Sequence, residues 1–291
     1  MPGRVTILGG GHGVAAVLAA LRQQELDLTA IVTVADDGGS SGELQRCWGG
    51  PAVGDMRRSL IALTRDEDRA DALAAPVTIA RFGQHPLGNL LLFSLARACG
   101  DLETASRWLG EELGVSARVL PATAHPVSLV ATSSRGLIRG ESAIGAAATR
   151  VETLSFDPEQ PAVPPRVIEA IDGADWVLLG PGSLFTSVLA VGALPAIRSA
   201  LAHTGADVVW ICNLAPQIPE TAGMSAADHL AALRRHAVRV DRVLYDPAAT
   251  LHFTAPELVR LDLDWLARPL VSSHPERHDP ALLADAFREL F

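Results

Sequence analysis

The first forty residues of this 291-residue chain limit its fold more than any other stretch. An apolar run, Arg4–Leu8, opens onto Gly9-Gly10-Gly11-His12-Gly13, and Val14–Leu21 then carries apolar residues on a helical period. A second apolar run follows at Leu28–Val34. Two buried strands joined by one helix form a βαβ unit, whose crossover makes the strands parallel and sets the glycine turn at their carboxyl ends. The expected fold class is therefore α/β: a Rossmann-like, mostly parallel sheet with helices on both faces.

Later segments repeat the alternation. Gly88–Cys99, Asp101–Leu113 and Ala190–Ala202 read as helices, Asp175–Gly180 and Asp207–Asn213 as buried strands, and Ser225 with Asp228 as the capping box of a helix running to His236. Between Ala117 and Phe156 the rhythm changes to short strands with a turn at Ser133–Gly136, which predicts a small mixed α/β insertion. The proline-rich stretch Asp157–Pro165 leads back to the core. One domain over residues 1–291 is expected, with its core at about 1–116 and 166–291 and the insertion at about 117–165.

Composition removes several chemistries. All 24 cationic side chains are arginine. Without lysine there is no G-x-x-x-x-G-K-[ST] phosphate loop and no Schiff base, so any cationic contact to a phosphate must come from arginine. A net charge of −9 argues against nucleic-acid and anionic-membrane partners. Three widely spaced cysteines give neither a disulfide framework nor a zinc site. The amino terminus shows no signal-type apolar region, and no apolar stretch reaches the roughly 20 residues of a membrane span, so the expected location is cytoplasmic.

The chemistry-bearing residues fall at strand ends. Gly11-x-Gly13-x-x-Ala16 fits the relaxed glycine pattern that lets a phosphate approach a helix amino terminus, or else it is simply a tight turn. Asp36-Asp37-Gly38-Gly39-Ser40-Ser41-Gly42 follows the second strand, and its two carboxylates suit a ribose hydroxyl, Mg²⁺ or base catalysis. Arg57 and Arg58 are candidate counter-charges or partners of Asp55 and Asp66, and Asn89 is a helix cap or a ligand donor. Gly180-Pro181-Gly182-Ser183 ends another strand and offers amides and a hydroxyl to an anion. It is not a nucleophile elbow, because residue 185 is Phe. Asn213 and Gln217 follow the next strand, while His229, His236 and His252 read as structural histidines.

Taken in order, Val32–Gly42, Gly54-Asp-Met-Arg57, His85-x-x-Gly-Asn89, Gly140-Glu-Ser142, Gly180-Pro-Gly-Ser183 and Cys212-Asn213…Gln217…Glu220-Thr221…Asp228-His229 resemble the YvcK/CofD-like family across nearly the whole chain. The resemblance implies a Rossmann-like core with a nucleotide-type ligand at the strand ends. In the CofD branch it implies 2-phospholactate transfer from a GDP-linked donor to a deazaflavin alcohol with Mg²⁺. In the YvcK branch, whose members are called gluconeogenesis factors, it implies binding of UDP-N-acetylglucosamine and support of cell shape and wall synthesis during gluconeogenic growth, without firmly assigned catalysis. The Gln217…Glu220-Thr221 loop and the Arg277-His278-Asp279-Pro280 tail look like the YvcK branch. Three departures stand out: His12 replaces the family's Thr, the 216–221 loop reads Pro-Gln-Ile-Pro-Glu-Thr, and no tyrosine follows Tyr245.

The leading expectation is a nucleotide-sugar-binding regulator. Gly10, Gly11 and Gly13 would cradle phosphate, Asp36, Asp37, Gly39 and Ser40 would hold ribose, metal or a ligand hydroxyl, and Gly182 with Ser183 would take a second anionic group. Arg57, Asn89, Asn213, Gln217 and Arg277 would complete the pocket. No cofactor is firmly implied. The rival is the transferase, with Asp36 or Asp37 as base or Mg²⁺ ligand, and an NAD-dependent oxidoreductase is a distant third. Expected partners are the nucleotide ligand, a regulated protein of cell-wall precursor synthesis and a second copy of the chain in a homodimer.

Overall fold

The computed structural model describes residues 3–80, 82–261, 263–272, 274 and 276–291. Its strands are β1 (Gly3–Gly9), β2 (Leu26–Val32), β3 (Pro76–Ile79), β4 (Gly83–Pro86), β5 (Arg118–Pro121), β6 (Ser128–Ser133), β7 (Gly136–Arg139), β8 (Val151–Asp157), β9 (Trp176–Leu179), β10 (Asp207–Ile211), β11 (Arg242–Tyr245) and β12 (Asp264–Ala267). Seven of them form one sheet in the order β12-β11-β10-β9-β1-β2-β5. Every neighbouring pair in it is parallel.

Burial on both faces explains why these strands are apolar without strict alternation. Along β1, Val5 and Ile7 pack with the helices Gly11–Leu21, Gly54–Leu63, Leu87–Cys99 and Pro280–Leu290, while Leu8 faces Pro165–Asp172, Pro195–His203 and Ala226–Arg235. The Ser225–Asp228 capping box is present as expected. Among the described residues, no single helix is long and apolar enough to cross a membrane.

Three features differ from the sequence reading. First, β5 belongs to the main sheet, where Val32 pairs with Pro121, so the added unit begins after it as the antiparallel sheet β7-β6-β8 with the helix Glu141–Ala146. Second, the stretch read as one helix from Ala190 to Ala202 is broken. A wide turn, Leu184–Val188, runs into Leu189–Gly192, and a separate helix starts at Pro195. Pro195 lacks an N–H and forces Leu194 into an extended conformation (φ −55°, ψ 129°), which ends the preceding helix. Third, β3 and β4 form a two-stranded antiparallel sheet just before the Leu87–Cys99 helix, a hairpin not anticipated from sequence.

Candidate functional site

Strand order reverses between β1 and β9, and the loops leaving these two strands meet at the carboxyl edge of the sheet, where they border a crevice. The Gly180–Ser183 turn lies against the first turn of the Gly11–Leu21 helix. A Cβ on Gly13 would sit 2.0 Å from the Pro181 carbonyl oxygen, so this approach requires glycine. On the other side Asp55, 9% exposed, accepts the Gly11 N–H at 2.7 Å and pairs through its second oxygen with Arg58.

At the glycine turn, expected as a phosphate cradle, protein groups take up part of the space. Its Gly11 amide is occupied by a carboxylate, and a Cβ on Gly10 would meet that same carboxylate at 2.5 Å. Gly10 and Gly13 are small because protein packs against them.

Two adjoining cavities occupy the crevice. The larger, about 840 Å³, is lined by Gly10, Gly11 and Gly13, by Gly182 and Ser183, and by Asn213, Gln217 and Arg277. The smaller, about 530 Å³, is lined by Asp36, Gly39, Ser40, Arg57, Arg58 and Asn89. Gly11, His12, Glu141, Thr186 and Ser187 line both and mark the junction. The fold therefore brings together residues from separate loops and helix starts along the chain, and Arg57, Arg58 and Arg277 all line the trough.

Asp37 is the exception. Its Oδ1 accepts the Ser142 N–H at 2.9 Å, which fastens the Glu141–Ala146 helix to the core, whereas Asp36 Oδ1 accepts the Gly38 N–H at 2.9 Å beside the smaller cavity. The adjacent carboxylates thus take different backbone partners. Among the described residues, no group of three or more His, Cys, Asp or Glu side chains could hold a metal ion. Asp36 keeps its carboxyl above the usual range, chiefly through burial.

Several predicted ligand groups are already engaged with protein. Asn213 Nδ2 donates to the Gly182 carbonyl at 2.7 Å and its Oδ1 accepts the Gly182 N–H at 3.4 Å, so Asn213 holds the turn after β9. The Ser183 hydroxyl donates to Glu220 at 2.6–2.7 Å, and Glu220 also takes the Phe185 N–H at 2.8 Å. Gln217 Oε1, Asn89 Oδ1 and Arg57 Nε are instead buried without a partner, which leaves polar capacity at the trough walls.

Three residues at the trough escaped the reading from residue types alone. Glu141 is pushed up to about 7, first by burial and then by repulsion from Asp36, Asp37, Asp55 and Glu220. His12 is held below the usual imidazole range by burial and by Arg58 and Arg277, so it is a neutral group at the junction. Glu220 is buried at 4% exposure and raised by desolvation. The signal for Glu141 was present in Gly140-Glu-Ser142, a strand end followed by glycine and an acid.

A parallel sheet in this order, with a polar trough at its switch point, defines a Rossmann-like α/β protein with a candidate ligand site. The family model for 2-phospho-L-lactate transferase CofD matches residues 5–268, and the chain belongs to the CofD family. It is 37% identical to a Deinococcus radiodurans protein named "Putative gluconeogenesis factor", in an alignment covering 99% of this chain and 66% of that protein. It is 38% identical to the Bacillus subtilis gluconeogenesis factor over 80% of this chain and 74% of the relative. A crystal structure of a UPF0052-family protein from Bacillus halodurans superposes with a TM-score of 0.94 at 30% identity, covering 99% of both chains.

Proposed function

We propose that this protein binds a nucleotide sugar, UDP-N-acetylglucosamine, along the trough and acts as a YvcK-type gluconeogenesis factor rather than as an efficient enzyme. The observation that carries this reading is the pairing of two polar lobes, about 840 and 530 Å³, with Arg277 on one and Arg57 and Arg58 on the other. A nucleotide sugar has two bulky polar ends joined by a diphosphate, and arginine's fixed fork suits that anion. The proposed cellular role is cytoplasmic: ligand occupancy, read by a protein partner in cell-wall precursor synthesis, supports cell shape during gluconeogenic growth.

Calorimetry tests the reading. UDP-N-acetylglucosamine should bind with and without a chelator, and Arg277→Ala should weaken it about tenfold or more, the loss of one charge-assisted contact. Tight binding of GDP that requires Mg²⁺, with no uridine nucleotide binding, would overturn it.

A second reading is favoured by Glu141. A carboxyl near 7 at the junction of two cavities is suited to take a proton from an acceptor alcohol, as phospholactate transfer requires. Turnover with a deazaflavin alcohol and a GDP-linked donor, lost in Glu141→Gln, would establish that chemistry.

A further inference from the structure

The wall of the smaller lobe contains a hydrogen-bond chain that ligand binding alone does not require. His85, on β4, is 0% exposed. Its Nε2 lies 2.6 Å from the Phe82 carbonyl oxygen and 3.7 Å from a Glu43 carboxylate oxygen. A carbonyl only accepts, so Nε2 carries the ring proton, and in the neutral imidazole Nδ1 is left as an acceptor. Ser40 Oγ is 2.8 Å from that Nδ1, and Asn89 Nδ2 donates to the same Oγ at 3.0 Å. With one lone pair filled by Asn89, the Ser40 hydroxyl directs its proton at His85. This is a nucleophile, a base and a carbonyl that orients the base, each at hydrogen-bonding distance from the next, with the Glu43 carboxylate close enough to act on the base through its charge.

The surroundings suit an anionic electrophile. Ser40 is the second residue of the ten-residue helix Gly39–Trp48, whose cap residue Gly38 supplies no side-chain hydrogen bond, so the first-turn amides stay open. Arg57 lines the same lobe with its Nε buried and unpartnered. Asn89, 3% exposed, also lines it and leaves Oδ1 without a partner.

We propose that Ser40 is a nucleophile, activated by His85, that accepts a phosphoryl group from an anionic phosphate ester or anhydride held by Arg57 and the first-turn amides of Gly39–Trp48. In the step, the Ser40 Oγ–P bond forms as the bond from phosphorus to the leaving oxygen breaks. The hydroxyl proton passes to His85 Nδ1. The leaving oxygen departs with the bonding pair and takes a proton from water. The Phe82 carbonyl and the Glu43 carboxylate stabilise the imidazolium that results. This inference is independent of which nucleotide occupies the trough, and it stands or falls without UDP-N-acetylglucosamine binding.

A fluorophosphonate probe undergoes the same bond changes with fluoride as the leaving group, so it reads the proposal directly. Peptide mapping by mass spectrometry should place the adduct on Ser40 of the wild-type protein, no adduct should form in Ser40→Ala, and inorganic phosphate should slow labelling. His85→Gln should slow it by about a hundredfold, the order of a lost general base. Because His85 is buried, Glu43→Gln supplies a milder variant at a part-exposed side chain: labelling should slow several-fold with an unchanged melting temperature. A wild-type Ser40 that stays unlabelled, or one labelled equally fast in wild type and Glu43→Gln, overturns the proposal and leaves the Ser40–His85 contact as a structural bridge.

Discussion

Asp55 accepts the Gly11 N–H at 2.7 Å while its other carboxylate oxygen pairs with Arg58, so one nearly buried side chain joins the glycine turn after β1 to the start of the Gly54–Leu63 helix. Removing it strands both partners. Asp55→Ala should cost about 2–3 kcal/mol, the range for leaving buried polar groups unsatisfied. Asp55→Asn keeps an acceptor for the Gly11 amide and should cost less. Urea denaturation of the two variants measures the difference.

The two glycines flanking His12 should respond differently to a methyl group. Gly13→Ala drives Cβ into the Pro181 carbonyl at 2.0 Å, where both partners are backbone, and should cost about 3 kcal/mol or more. Gly11→Ala meets no atom within 4 Å but carries φ +66°, so only the left-handed backbone penalty of about 1–2 kcal/mol applies. Thermal melts that show equal losses would contradict this account of the seam.

Glu141 predicts a pH dependence with a definite sign. Its folded value, about 7, lies above the ordinary 4.5, so the folded state holds the proton more tightly than the unfolded chain does. Its contribution to stability is therefore greatest below about 4.5 and declines as pH rises through 7. An anionic ligand at the junction should follow the same direction, binding more weakly once Glu141 ionises. Glu141→Gln should flatten both profiles between pH 5 and 8, measured by denaturation midpoints and by calorimetry with UDP-N-acetylglucosamine.

Glu220 carries the turn after β9. It accepts hydrogen bonds from Ser183 and from the Phe185 N–H, so Glu220→Ala should cost about 2–3 kcal/mol. Loosening of the Gly180–Ser183 turn should also weaken ligand binding. Glu220→Gln retains one oxygen acceptor and should restore part of the stability but offer an amide where Ser183 and Thr186 present hydroxyls. Urea denaturation together with ligand titration separates the two effects.

How much of this was legible in the sequence follows from how local each cause is. The β1-turn-helix-β2 opening and the Ser225–Asp228 cap arise from neighbouring residues, and both appear as the pattern implies. The break at Pro195 was also local, visible in the proline itself, but an apolar run masked it. By contrast, β5 reads as an insertion strand until β2 is available to pair with it. Asp37 looked like a ligand beside Asp36 because its partner, the Ser142 amide, lies 105 residues away. Ser183 looked available for the same reason, since Glu220 reaches it across 37 residues. Spacing shows which polar groups gather at a sheet edge. Which of them are already spent on one another is decided by tertiary contacts.

The strand order has a consequence for the polypeptide as a whole. On one side of the β1/β9 border lie β1, β2 and β5, all from before residue 122; on the other lie β9 to β12, all from after residue 175. Each half of the sheet is thus an unbroken length of chain, and the trough at their border is walled by both, with Glu141 of the added unit between them. An occupant in contact with Asp36 on one bank and Arg277 on the other would act as a cross-link between the two halves of the molecule, resisting their separation when the sheet is pulled apart at its centre.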